Sequence, residues 1–444
     1  MKILWLILVI FTVKSYAQTE LFELKLSEAE QKALQASNRL KSFAAEEEAA
    51  KEQSNAQFAG LFPKLSLQGG YQYYGTIPNI SLGNGPAFPF GTNSTYSVGP
   101  QLNYTLWDSF SGRKSYKAAS LLASARTEDR KNAQLQLLFS LRAAYVQVQL
   151  GLEELRLIQD SLQLANAQDR DVATRFSAGA AAKLDVVTAG RSVLSYQIQF
   201  EQRQAELSSA LKDLLTLLGD NGGTNVSRPG PPGIANVALV VKLDDLDDSL
   251  SQQDKQEIPD PTDQQPQIQS LDLQARSAEA AADSQSAKLL PTVQLSAGVS
   301  KIRPDIPNPP DYWQQTVGVT LSLPLYLGDP TPSLAAQQRN EAQAADYRKT
   351  QLREDIRRDF TKARNLLVSL RDQQTLATKD VKQSELAARL YYSSYRAGKV
   401  NLIDVQNANL QALQSKVNAA RIDAQILNQL FLLKSLSGKE PQHG

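Results

Sequence analysis

The chain of 444 residues contains no cysteine, a single methionine at its start and a single histidine, His443. Without thiols there can be no disulfide, no thiol chemistry and no lipid-modified N-terminal cysteine. Soft metal sites draw on Cys, Met or His, so the composition argues against an intrinsic copper or zinc site, and no cofactor is expected. A charge excess is missing too: 47 Lys and Arg stand against 46 Asp and Glu. No bulk field draws the chain to nucleic acid. There is no Gly-rich phosphate loop, and no convergent acid pair outside two short segments described below, so nothing points to an enzyme. Past the N-terminus, no run is long and apolar enough to cross a bilayer as a helix. If the mature chain enters a membrane, it must do so with strands.

What is present starts with "MKILWLILVIFTVKSYAQ". Lys2 precedes an apolar core of 11 residues, Ile3 to Val13, and Ser15-Tyr16-Ala17 offers a cleavage site before Gln18. Residues 1–17 read as a secretory signal peptide, too short for a membrane span.

The rest is duplicated. "LPTVQLSAGV" from Leu290 echoes "FPKLSLQGGY" from Phe62 at an offset of 228, and "VGVTLSLPLY" from Val317 echoes "VGPQLNYTLW" from Val98 at 219. The offset changes once, so the first half carries the longer loop, where insertions are tolerated. The expected organisation is a first repeat at 18–219, an inter-repeat segment at 220–263, a second repeat at 264–438 and a tail at 439–444. Each repeat reads helix, strand, loop, strand, long helix, tip, helix.

The first helix is expected over Ser27–Gly60, with Ser27 and Glu30 as a capping box and Pro63 beyond its end. Two alternating segments follow in each half. Leu65, Leu67, Tyr71 and Tyr73 alternate with Ser66, Gln68, Gly70 and Gln72, and Val317, Val319, Leu321 and Leu323 alternate with Gly318, Thr320, Ser322 and Pro324. Segments of roughly ten residues, apolar on one face and small or polar on the other, fit transmembrane strands. Half-buried strands of a soluble sheet alternate similarly. The signal peptide and the aromatic residues Tyr71, Tyr96, Tyr104, Trp107, Trp313 and Tyr326 at segment ends favour the membrane, since such rings settle at bilayer interfaces. The loops from Gly75 and from Arg303, rich in Gly, Pro and Asn, read as lacking secondary structure.

Long helices are expected over Arg113–Phe176 and Ser333–Tyr395, each about 95 Å at 1.5 Å per residue. Leu138, Leu141, Tyr145, Val148, Leu152 and Leu155, and in the second half Ile356, Phe360, Ala363, Leu367 and Leu370, make coiled-coil seams. Returning helices, Leu184–Leu218 and Leu402–Ser437, are about half as long. The helix before the strands can cover the other half, so two short helices end to end match one long helix, which predicts a tall cylinder with strands at one end and tips at the other. The inter-repeat segment would lie at its waist, with Val237–Leu243 as a short strand and the acidic "LDDLDDSL" as solvated surface.

The two tips carry the sharpest pattern. "YRAGKVNLIDVQNANLQALQSK", from Tyr395, echoes "FSAGAAAKLDVVTAGRSVLSYQ", from Phe176. In each an aromatic residue is followed three positions on by Gly (Gly179, Gly398), and six later by Asp (Asp185, Asp404). Gly between two helical patterns ends one helix with positive φ and starts a reversal. On the residues alone, both aspartates read as N-caps of the returning helices.

A sheet in lipid must close, and about eight strands is the practical minimum. One chain offers four, so two copies would give eight strands and three would give twelve.

These segments resemble the TolC-like outer membrane efflux proteins. The likeness runs from Leu26 to Gly438 and is carried by "LLPTVQLSAG", "VGVTLSLPLY" and "YRAGKVNLIDVQNA", duplicated in register. The resemblance implies an α+β membrane protein of the Gram-negative outer membrane with a long periplasmic part. It implies a homotrimer sharing one twelve-stranded barrel above a helical tunnel, docked to a periplasmic adaptor and through it to an inner-membrane transporter. It implies a passive exit duct for efflux or type I secretion, gated at the tips. Position by position, Asp404 matches an acidic residue ringing the periplasmic entrance, while Asn407 stands at a second acidic position. Asp185 matches an acid that pairs with an Arg holding the entrance shut. Val400 stands at that Arg position, beside Lys399, with Lys183 on the other tip. Tyr395 matches a Tyr of the same clasp, and Leu184 stands at its partner position. The turn residues Gly179, Ala180, Gly398 and Val400 match the adaptor-docking surface. The alternative is a periplasmic coiled-coil adaptor or scaffold, which shares the hairpins but needs no membrane strands.

Overall fold

The computed structural model describes residues 22–81, 83, 85–86, 88–89, 93–219, 241–255, 257–304, 310–325 and 330–438. The signal peptide, Tyr326, most of the Pro-rich loop after Arg303, residues 220–240 of the inter-repeat segment and the tail with His443 lie outside them. In chain order the elements are β1 (Phe22–Leu24), α1 (Leu26–Ala36), α2 (Asn38–Ala59), β2 (Lys64–Tyr73), β3 (Asn79–Ile80), β4 (Phe88–Pro89), β5 (Ser94–Trp107), α3 (Ser111–Ser177) and α4 (Lys183–Leu217). The second half continues with β6 (Val241–Leu243), α5 (Leu246–Asp254), α6 (Pro266–Ala287), β7 (Thr292–Pro304), β8 (Tyr312–Ser322), α7 (Pro330–Arg396) and α8 (Leu402–Ser437). The long helices α3 and α7 each run 67 residues without a break. The chain forms two compact units, each drawing on both repeats. The first takes residues up to Asn38, Gln136–Pro259 and Phe360–Ser435, and the second takes Arg39–Leu135, Asp260–Asp359 and Leu436 onward.

The second unit holds a four-stranded sheet in the order β2-β5-β7-β8, antiparallel throughout. The central pair joins the repeats, and among the described residues β2 and β8 each pair on one side only. Every residue of β2 and all but one of β8 is exposed. Leu65, Leu67 and Val317 are 74, 75 and 78% exposed. A soluble sheet covers at least one face, so these apolar residues are uncovered for another reason. At its far end β5 enters α3 through Ser109 and Phe110, both left-handed at φ 54° and 66°. Asp108 Oδ2 accepts the Gly112 N–H at 2.6 Å, Ser109 Oγ donates to the Pro291 carbonyl at 3.1 Å, and Phe110 packs edge-on against Trp107. The loop from Gly75 is not structureless, because β3 and β4 make a small antiparallel bridge inside it. In the same unit, small residues bring α3 and α6 close. Ser111 and Ser284 exchange hydroxyl-to-carbonyl bonds at 3.1 and 2.9 Å, and Ser277 Oγ donates to the Ala118 carbonyl at 2.7 Å.

The first unit is helical apart from β1, which pairs parallel to β6. Of the expected 237–243 strand, 241–243 forms, and the rest lies outside the described residues. The seam residues Leu138, Leu141, Tyr145, Val148 and Leu155 are buried, as are Phe360, Ala363, Leu367 and Leu370, and Ile356 is buried in the other unit. Leu152 is half-buried. A core of Val146, Leu246, Ala420, Ala424, Leu427 and Phe431 seats α5 against α3 and α8.

Three further expectations need correction. The helix expected over 27–60 is two helices, α1 and α2, broken at Ser37, whose ψ is 112°. The cause is the end of α4: Gly219, at φ +79°, lies so close to Ala36 that a β-carbon there would strike the Ala36 side chain. Gly438, at φ +69°, likewise packs on Gln265, which stands 228 residues after Ser37 and immediately before α6. The Ser27–Glu30 capping box does not form. Leu26 is already helical, its N–H is accepted by Asp244 Oδ2 at 3.2 Å, and Glu30 is buried against Arg142 Nε at 2.7 Å. The acidic segment is therefore not merely solvated surface. Asp244 also pairs with the Tyr145 hydroxyl at 3.1 Å, Tyr145 donates to the Leu24 carbonyl at 2.9 Å, and Gln149 Nε2 donates to the Asp244 carbonyl at 2.5 Å and to Ser249 Oγ at 2.9 Å.

Candidate functional site: the paired helix tips

Both tips lie in the first unit and are built alike. Gly179 and Gly398 stand at φ +75° and +74°. The Gly179 N–H donates to the Phe176 carbonyl at 2.9 Å and the Ala180 N–H to the Arg175 carbonyl at 2.8 Å. The Gly398 N–H donates to the Tyr395 carbonyl at 2.9 Å and the Lys399 N–H to the Ser394 carbonyl at 3.0 Å. These are paired Schellman closures of α3 and α7. A β-carbon at either glycine would meet nothing within 4 Å, so backbone conformation rather than space demands glycine.

Asp185 and Asp404, expected as N-caps, instead stand at the third position of α4 and α8, three residues after the cap. The cap residues are Ala182 and Asn401. Asp185 Oδ2 accepts the Ala182 N–H at 3.3 Å, and Asp404 Oδ2 accepts the Asn401 N–H at 3.2 Å. Each is the acidic half of a capping box, on the end of the helix that favours negative charge.

The tips are also tied to each other. The Tyr395 hydroxyl donates to Asp185 Oδ2 at 3.3 Å, and the Tyr392 hydroxyl to Asp171 Oδ2 at 2.9 Å. Arg175 Nη2 donates to the Arg396 carbonyl at 3.1 Å, and its guanidinium lies 5.2 Å from the centre of the Tyr395 ring. Gln406 Nε2 reaches the Thr188 carbonyl at 2.8 Å, and Asn409 Nδ2 reaches Gln168 Oε1 at 3.0 Å. Beneath these bonds Val172, Ala189, Tyr395, Leu402 and Val405 form an apolar knot. Burial, and then Asp171, push the Tyr392 hydroxyl up to about 12. Burial first and Asp185 second push Tyr395 up as well. Both phenols are therefore protonated donors at neutral pH.

Of the other expected tip residues, Val400 is half-buried against the knot, whereas Lys183, Lys399, Ala180 and Asn407 are exposed. Among the described residues Lys183 and Lys399 make no ion pair. Leu184 is also exposed. Sequence reasoning missed Asp171, Arg175 and Tyr392. Their signal was spacing alone: Asp171 and Arg175 share one face of α3, and Tyr392 lies one turn before Tyr395.

The expected interface aromatics lie on the sheet of the second unit. Tyr71 and Tyr96 face each other in register with ring centres 5.0 Å apart, and Trp313 is opposite Lys301, all near the loop end. Trp107 is at the helix end, and Tyr104, half-exposed, lies three residues before it.

A profile of the family described as outer membrane efflux protein matches residues 29–220 and 260–439. The chain belongs to this outer membrane efflux protein family. A curated member, the outer membrane efflux protein BepC of Brucella suis biovar 1 (strain 1330), is 22% identical over 362 residues, 81% of this chain and 75% of that one. Among solved structures, CusC superposes with a TM-score of 0.76 at 17% identity, covering 93% of this chain and 92% of its own. VceC from Vibrio cholerae gives 0.74 at 18% identity, covering 93% and 96%. The efflux protein is thus an outer membrane exit duct with a long helical periplasmic part, and the adaptor reading is set aside. Among the described residues no helix is long and apolar enough to cross a bilayer.

Proposed function

We propose that three copies of this chain close one twelve-stranded barrel and form a passive conduit, gated at the tips and driven by an inner-membrane transporter through a periplasmic adaptor. The observation that carries this reading is the uncovered four-stranded sheet with an open edge at β2 and at β8. Open edges in lipid are untenable, and four strands cannot enclose water, so sister sheets must pair with them. Tyr71, Tyr96 and Trp313 would then stand at one bilayer interface, and Tyr104 and Trp107 at the other.

In such an assembly the three copies of Asp404 ring a narrow entrance, with Asp185, Asn407, Lys183 and Lys399 around it. A ring of carboxylates repels anions and binds cations. The turns at Gly179, Ala180, Gly398 and Val400 form the surface offered to the adaptor. Planar-bilayer recording tests the gate. Asp404→Ala should raise single-channel conductance or weaken block by multivalent cations. Unchanged conductance together with unchanged block would remove Asp404 from the gate.

A further inference from the structure

Four helices of the first unit, α3, α4, α7 and α8, surround a cavity of about 240 Å³. Two of them come from each repeat, so the space lies between the hairpins of one chain. Its apolar wall is Leu164, Ala165, Ala388, Ala412 and Leu413, with the ring of Tyr196 set among them. Three of these five aliphatic positions are alanine, and the missing side-chain volume leaves the room. A cavity of about 150 Å³ accepts benzene, so this one has space for a second fused ring.

Most polar groups in the wall are already committed. The Ser161 hydroxyl donates to the Leu157 carbonyl at 3.0 Å, Asn409 donates to Gln168 at 3.0 Å, and the Tyr392 hydroxyl donates to Asp171 at 2.9 Å. Lys416 Nζ meets Glu385 Oε1 at 2.6 Å. Two groups are not committed. Tyr196 is only 5% exposed, and among the described residues its hydroxyl has no hydrogen-bond partner. Burial pushes that hydroxyl up, so at neutral pH it is a protonated donor. A buried donor without an acceptor is costly, and native folds rarely leave one. The other is Arg389, which is exposed and, among the described residues, makes no hydrogen bond or ion pair. Arg389 and Lys416 against Glu385 leave the wall one positive charge in excess. The phenol is therefore at the floor of the cavity and the spare cation at its mouth.

We propose that this cavity binds a small aromatic acid that carries a second oxygen at its far end. The rings fill the apolar space, the carboxylate meets Arg389, and the inner oxygen accepts from the Tyr196 hydroxyl. A guanidinium suits a carboxylate, and a few placed polar groups in an apolar wall are what orient a small ligand. Tyr196 belongs to the first repeat and Arg389 to the second, so the guest would bridge the two hairpins. The site lies within one chain and depends on neither the closed barrel nor the gate.

Equilibrium dialysis of the full-length, detergent-extracted protein against 6-hydroxy-2-naphthoate tests the site. Ala412→Leu, which fills the space, is the blank for partition into micelles. The wild type should bind one molecule per chain above that blank. 2-Naphthoate, which lacks the inner oxygen, should bind about fivefold more weakly, and 2-naphthol, which lacks the acid, about tenfold more weakly. Tyr196→Phe should lose about fivefold for the hydroxy acid and nothing for 2-naphthoate. Arg389→Gln should weaken both acids and leave 2-naphthol unchanged. No binding above the blank, or losses that do not follow the oxygen each variant removes, would overturn the proposal. Tyr196→Phe also has a reading without ligand. Its helical circular dichroism should melt no lower than that of the wild type, because the hydroxyl it removes is unsatisfied. A lower midpoint would mean that the hydroxyl already has a partner, and that too overturns the site.

Discussion

Lys434 is an ammonium buried where the sequence shows nothing but a helix. It stands beside Arg142, itself over the Phe431 ring, with Glu30 close by and Gln253 Oε1 bonded to its Nζ. Burial, and then the positive charge of Arg142, push its pKa down from 10.5 to about 8. The folded chain sheds this proton before the unfolded chain does. Between about pH 8 and 10.5 the unfolded state therefore binds more protons, and stability rises with pH across that window. Lys434→Met removes the titrating group. The melting midpoint of the helical circular dichroism signal should rise from pH 7.5 to 9.5 in the wild type relative to Lys434→Met, and parallel curves would show that Lys434 is not destabilised by burial. Which residues could be read in advance follows from how local their duties are. Gly179 and Gly398 were legible because positive φ is a property of one residue. Asp244 and Arg175 were not, because Asp244 serves partners about 100 and 220 positions away in the chain, and Arg175 a partner 221 away. No periodicity encodes such pairings.

Among the elements, strands and long helices were legible because alternation and seam spacing are repeated many times over. The break between α1 and α2 was not, since Ser37 yields to the packing of Gly219 from a distant helix end. The junction of the repeats is equally non-local. Gly99 in β5 lies where a β-carbon would run into the Val299 carbonyl and the Ser300 backbone of β7. Backbone cannot rotate aside as a side chain can, so Gly99→Ala must push β5 from β7, at about 1–3 kcal/mol. Gly70→Ala is the control, because its nearest neighbour is the Ser97 hydroxyl, which can turn away. On unboiled gels Gly99→Ala should lose part of the heat-modifiable assembled band while Gly70→Ala keeps it. Equal bands would mean that the close approach of β5 and β7 does not govern assembly.

At the scale of the whole molecule, the central claim is that one chain is an incomplete wall. Family membership fixes the outer membrane and the efflux duct, and the two open sheet edges supply the physical reason why one copy does not suffice. The number of copies follows from closure: a four-stranded contribution needs companions until its first and last edges meet. Native mass spectrometry of the protein released from detergent micelles measures that number directly. The account predicts three chains of the processed polypeptide in one particle, and a single chain that stays in solution without detergent would contradict it.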